Sequence, residues 1–151
     1  MIFLHTFQLL CPGCVLHAIP QVQRIERAFA GSDLQIIGLH TVFEHHAAMS
    51  PLTLQAFIHE YRLRSPVGVD LADAQSTTPL TMQRYGFRGT PSSVLIGRDG
   101  TILHKAFGVE DDLTLGARIG LALSASPANA ETPTETNGDY VNGACSLPDA
   151  A

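Results

Sequence analysis

The sequence predicts an α/β fold, and three observations carry the expectation. Residues 1–10 form an apolar run (Ile2, Phe3, Leu4, Phe7, Leu9, Leu10) that passes directly into helical spacing at Val15, Ala18, Ile19, Val22, Ile25 and Phe29. The turn signal Gly31-Ser32-Asp33 then leads to a second apolar run, residues 34–40, which completes a β-α-β unit with parallel strands and a right-handed crossover. Late in the chain, Arg98-Asp99-Gly100 joins two more apolar runs as a hairpin, so those strands are expected to be antiparallel neighbours.

The first helix should reach about Ala30, with a kink at Pro20, which lacks a backbone N–H and crowds the preceding turn. Residues 41–50 follow the carboxyl end of the second strand, the edge at which open α/β sheets place ligands, and hold Glu44, His45 and His46. Ser50 caps the next helix, Pro51 takes its first position, and Leu54, Phe57, Ile58 and Tyr61 make its inner stripe. Residues 66–71 read as a short strand or extended segment leading into a loop, 72–78. A short helix over 79–85 then stops at Gly86. In residues 89–97 a proline stands immediately before an apolar strand, and the hairpin leads on into 101–107. Asp111 or Asp112 caps a last helix with Leu115, Ile119 and Ala122 inside, ending near Leu123.

With 151 residues, 45 % of them apolar, the chain can bury the core of one domain, expected over 1–123. Residues 124–151 read as an acidic low-complexity tail, in which 124–139 is a linker and Tyr140, Val141 and Leu147 dock weakly. The net charge is −5, and Glu131, Glu135, Asp139 and Asp149, in a tail without Lys or Arg, supply four of those charges. No basic stripe offers nucleic acid a surface. No apolar run is long enough to span a bilayer. No signal-peptide pattern opens the sequence, so a cytoplasmic location is expected as written, and a periplasmic one if an export segment has been trimmed. No internal repeat or phosphate-binding glycine loop is visible.

Chemistry centres on Cys11-Pro12-Gly13-Cys14, at the strand-to-helix transition. Free N–H groups and the helix dipole favour a thiolate there, and Cys11 is the sulfur best placed to ionise, the more exposed of the two. Such a thiolate attacks a disulfide, and the second cysteine resolves the mixed disulfide. Two other uses of the pair stand beside this one. The cysteines form an inert buried pair, or Cys11, Cys14 and His17 bind zinc with His45 or His46. Haem attachment is excluded because Val15 follows Cys14 where histidine is required. Cys145 is either a third redox thiol or an exposed cysteine.

The order β-α-β-α-β-α-β-β-α, with the cysteine pair opening the first helix and Thr90-Pro91 opening a late strand, resembles the thioredoxin-like fold with its central mixed sheet. Within that fold, residues 2–123 are most similar to the TlpA- and ResA-type thiol-disulfide oxidoreductases. The resemblance implies a cis Thr90–Pro91 bond packed against the cysteines, leaving the Thr90 backbone free to pair with an extended substrate beside Cys11. It implies that Cys11 and Cys14 are catalytic and that Thr90 and Pro91 bind substrate. Glu44 matches an acidic residue that takes the Cys14 proton, or else is a solvated loop glutamate; His45 and His46 serve similarly or stand exposed. No cofactor is implied. The partners implied are a disulfide-containing protein or small thiol and an electron donor.

Three departures stand out. Leu10 replaces the usual Trp, Pro20 lies one residue further from Cys11 than is common, and no N-terminal hairpin covers the sheet edge. A monomer or weak dimer is expected from that open edge. A peroxidatic thiol is disfavoured because residues 4–10 supply neither the Thr or Ser nor the Pro at the upstream spacing that such sites use. An intact cysteine pair argues against a non-catalytic interaction domain.

Overall fold

The computed structural model describes residues 1–125 and the strand Cys145–Ser146. In chain order the elements are β1 Ile2–Phe7, a π-helical turn Cys14–Ala18, α1 Ile19–Ala28, β2 Gln35–His40, α2 Pro51–Glu60 and β3 Val67–Val69. They continue with α3 Leu80–Tyr85, β4 Gly89–Thr90, β5 Ser92–Ile96, β6 Ile102–Phe107, α4 Asp112–Ser124 and β7 Cys145–Ser146. The main sheet has five strands in the order β3-β2-β1-β5-β6. β1 runs parallel to β2 and antiparallel to β5, and β5 runs antiparallel to β6, so the sheet is mixed as the sequence predicts.

β1 lies at the centre, and its alternation divides the core. Phe3 packs with Val22, Ile25, Leu34, Leu95, Leu115 and Ile119 under α1 and α4. Leu4 faces the opposite side, against the cluster of Phe43, Met82, Phe87 and Val94. Phe7, at the end of the strand, joins Leu9, Ile19, Met49 and Leu54 in a third cluster that also contains both cysteines. The thiol pair is thus built into apolar packing. Its position is set by the same contacts that hold α1 and α2 to the sheet.

Capping follows the expected residues. Ser50 accepts the Thr53 N–H at the start of α2, and Asp111 accepts from Leu113 and Thr114 at the start of α4. Asp70, buried just after β3, accepts from the Thr81 and Met82 N–H groups at 2.9 and 3.2 Å and caps α3 from a distance. α3 ends at Gly86, whose φ of +63° is the left-handed conformation expected of a glycine stop. At the hairpin, Gly100 has φ +86° and Asp99 accepts the Thr101 N–H.

Three expectations need correction. Pro20 does not kink a continuous α-helix: residues 14–18 widen to π geometry, with the Ile19 N–H bonded to the Cys14 carbonyl, and Pro20 falls in the first turn of α1. A proline in a first turn forfeits no helical hydrogen bond, so the wide turn absorbs the defect. Tyr61 leaves the α2 stripe as its cap, 42 % exposed, although its ring stacks on Phe57 at 4.1 Å. Leu54 is the fully buried member of that stripe. The linker expected over 124–139 begins one residue too early, since Ser124 is still helical. The remainder of that stretch, and the weak docking expected of Tyr140, Val141 and Leu147, lie outside the described residues.

Candidate active site

β1 delivers the chain to the cysteines through Gln8. The Gln8 carbonyl accepts the Cys11 N–H at 3.3 Å, and the Cys11 carbonyl accepts the Val15 N–H at 3.1 Å, so Cys11 stands where the strand ends and the helix begins. Helical conformation starts at Pro12. Both cysteines are thiols, Cys11 at 1 % and Cys14 at 0 % exposure. Neither sulfur is open to solvent, and the expected difference in exposure between them is slight. Packing and the neighbouring strand β4 close over Cys11.

Cys14 is pushed well above the usual thiol range, first by burial and then by its hydrogen bond to Cys11 and any charge there; the nearby Gln8 backbone and Thr90 hydroxyl act in the opposite sense. Its proton is therefore held while Cys11 carries charge. Once Cys11 is covalently occupied, that charge is gone and part of the upward push disappears.

The second half of the site comes from the far side of the sheet. Thr90–Pro91 is a cis bond, as expected, and the Cys11 thiol donates to the Thr90 carbonyl at 3.4 Å. Local hydrogen bonds hold this bend. The Ser92 hydroxyl donates to the Gly89 carbonyl at 2.8 Å, spanning the proline, and the Pro91 carbonyl accepts the Gly108 N–H at 2.8 Å. Thr6 on β1 accepts the Ser92 N–H at 3.1 Å and donates to the Ser92 carbonyl, which locks the register beside the bend. The Thr90 backbone is not left open, however. β7 pairs with β4 in antiparallel register, Gly89 with Ser146 and Thr90 with Cys145.

Glu44 reaches this centre through Gln8, whose side-chain N–H donates to its carboxylate at 3.3 Å. The other end of the Gln8 amide accepts the Phe43 N–H at 3.3 Å, and the side chain is fully buried. Gln8 thus ties the loop after β2 to the turn that presents Cys11. Sequence analysis passed over it, along with Thr6 and Ser92. The available signal was one amide interrupting the apolar run just before the cysteine pair.

His17, His45 and His46 are exposed while both sulfurs are buried. Among the described residues no three His, Cys, Asp or Glu side chains gather as a metal site requires. Deeper in, His5 and His40 flank Phe7, with ring centroids 5.7 and 5.5 Å from it. Burial holds each imidazole down to about 4, so both are neutral at ordinary pH.

The chain that carries this buried dithiol and cis-proline bend is similar to solved structures. A thiol-disulfide isomerase from Corynebacterium glutamicum is 45 % identical with a TM-score of 0.80, over 83 % of this chain and 81 % of that one. The chain belongs to the thioredoxin-like superfamily. A protein described as a member of that superfamily is 47 % identical, again with a TM-score of 0.80, over 83 % of this chain and 80 % of the other. The thioredoxin-like fold extends to a putative DsbE-type thiol:disulfide interchange protein from Chlorobium tepidum, at 20 % identity and a TM-score of 0.65, over 82 % and 79 % of the two chains. No family model matches the sequence, and no curated protein matches it. Its 45 % identity to a thiol-disulfide isomerase supports an oxidoreductase activity for the chain. Among the described residues no helix is long and apolar enough to cross a membrane.

Proposed function

We propose that the chain exchanges disulfides with protein or small-thiol substrates through Cys11 and Cys14. The observation that carries this reading is the Cys11 sulfur lying 3.4 Å from the carbonyl of Thr90, immediately before the cis proline. That contact puts the attacking sulfur beside a backbone edge able to hold an extended peptide. Cys11, as thiolate, attacks one sulfur of the substrate disulfide and the other leaves as a thiol. Cys14 then attacks the Cys11 sulfur, releasing the second substrate thiol and leaving a Cys11–Cys14 disulfide. Two electrons pass to the substrate, and a thiol donor restores the pair. The Cys14 thiol, pushed up first by burial and then by its neighbour Cys11, supports this division of roles, because it keeps its proton while Cys11 carries charge.

Glu44 is the proton acceptor for Cys14 in this scheme, its carboxylate tied to the thiol turn by the Gln8 side-chain N–H. Leu10 and Leu16, 57 % and 66 % exposed beside the pair, supply an apolar rim suited to an unfolded or loosely folded protein substrate. The domain that does this work spans residues 1–123. A secreted Mycobacterium tuberculosis disulfide oxidoreductase shares the fold at 20 % identity. Cell fractionation decides between cytoplasm and periplasm for this chain. The activity is tested by reduction of insulin disulfides: Cys11→Ser should lower the rate at least a hundredfold, and an undiminished rate would remove the proposal.

A further inference from the structure

The strand β7 occupies the edge that the proposed function assigns to substrate. Its register pairs Cys145 with Thr90 and Ser146 with Gly89. Antiparallel partners lie about 4.5–5.5 Å apart at Cα. The Thr90 carbonyl in turn receives the Cys11 thiol at 3.4 Å. A cysteine of the same chain therefore stands in backbone register with the residue that touches the attacking sulfur. Exposure agrees with an occupied edge, since Thr90 is at 0 % and Cys11 at 1 %.

We propose that the C-terminal segment is an internal substrate, held on β4 as an incoming peptide strand would be, with Cys145 acting as a third redox thiol. This rests on the dithiol function proposed above. In the oxidised enzyme, the Cys145 thiolate attacks the Cys11 sulfur of the Cys11–Cys14 disulfide. A Cys11–Cys145 disulfide forms, the Cys11–Cys14 bond breaks, and Cys14 leaves as a thiolate that takes up the proton Cys145 gave to solvent. One disulfide replaces another, so no external oxidant or reductant enters. The reverse attack by Cys14 on Cys11 expels Cys145 and frees the edge. An intramolecular thiol on a linker of this length has an effective concentration of order millimolar, and strand pairing raises it further. The segment thus competes with external substrates for the edge. It also gives the oxidised site a thiol that uncovers Cys14.

The test uses the full chain in a glutathione redox buffer, quenched with acid, with disulfides mapped by mass spectrometry. Cys14→Ser should accumulate an intramolecular Cys11–Cys145 disulfide whose fraction does not change when protein is diluted tenfold. Finding Cys11 only as its glutathione adduct, or bonded to Cys145 only between molecules, overturns the proposal. A second measurement reads the strand itself. In the reduced enzyme Ser146→Pro, which puts a residue that strands avoid into this two-residue strand, should speed alkylation of Cys11 at least threefold; an unchanged rate counts against an occupied edge. Insulin reduction separates the two levels. If wild type reduces insulin through Cys11 but no internal disulfide forms, this inference fails alone, whereas activity that survives Cys11→Ser removes the function beneath it.

Discussion

Acidification should unfold this protein through His5, and the size of the effect follows from its surroundings. The imidazole lies on β1 between Phe7 and the α1 face, 5 % exposed, with its Nδ1 unpaired among the described residues. Burial lowers its pKa from 6.5 to about 4. Between these values the unfolded chain binds a proton that the native protein refuses, so stability rises with pH across this window and falls as pH drops through it. It is fully present above about 6.5. Lowering the pH from 7.5 to 5 should cost about 2 kcal/mol from His5 alone, at about 1.4 kcal/mol per pH unit well inside the window. Urea denaturation of wild type and His5→Leu at pH 7.5, 6.5 and 5 isolates this share, because the variant keeps every other titrating group. Leucine is of similar size and forfeits no bond at Nδ1, so its own stability at pH 7.5 does not enter the comparison of slopes. Parallel pH dependences for the two proteins would refute the reasoning.

Other outcomes follow from packing and from the thiol turn. A methyl group at Gly38 would meet His5 Nε2 at 3.1 Å, Val67 Cγ2 at 3.3 Å and Phe7 Cε1 at 3.4 Å, so Gly38→Ala should destabilise by about 1–3 kcal/mol in urea titrations. An unchanged midpoint would mean that β2 and β3 yield more easily than described. Gln8→Leu strands the buried Phe43 N–H and releases Glu44, which should lower stability by about 1–3 kcal/mol and slow insulin reduction. A variant equal to wild type in both respects would contradict the role given to the amide.

The parts of the fold that depend on local chemistry were legible in the residues. Apolar runs marked the strands, Ser50 and Asp111 marked helix starts, and Gly86 and Gly100 marked positions where a left-handed backbone is needed. The cysteine pair and Thr90-Pro91, far apart in sequence, were joined through resemblance, and the structure brings them to 3.4 Å. What escaped were features set by tertiary neighbours. The proline signal at Pro20 promised a defect but not its form, because a π turn or a kink is chosen by how the Cys14–Ala18 segment packs beneath α2 and the sheet. Burial of Cys11 was missed for the same reason: position at a helix start says nothing about the strand that closes over it. Gln8 looked like an interruption of an apolar run, and its meaning lies in a loop more than thirty residues later. The pairing of Cys145–Ser146 with β4 was hidden by composition, since two residues show no periodicity.

The central claim is that Cys11 is the sulfur that joins the substrate. Its most direct test is a covalent trap with disulfide-bonded insulin and the Cys14→Ser, Cys145→Ser double variant, in which no second thiol can release the adduct. A mixed disulfide between Cys11 and an insulin chain, identified by mass spectrometry, is the predicted result. Recovery of Cys11 as the free thiol, under conditions in which wild type reduces the same insulin, would contradict it.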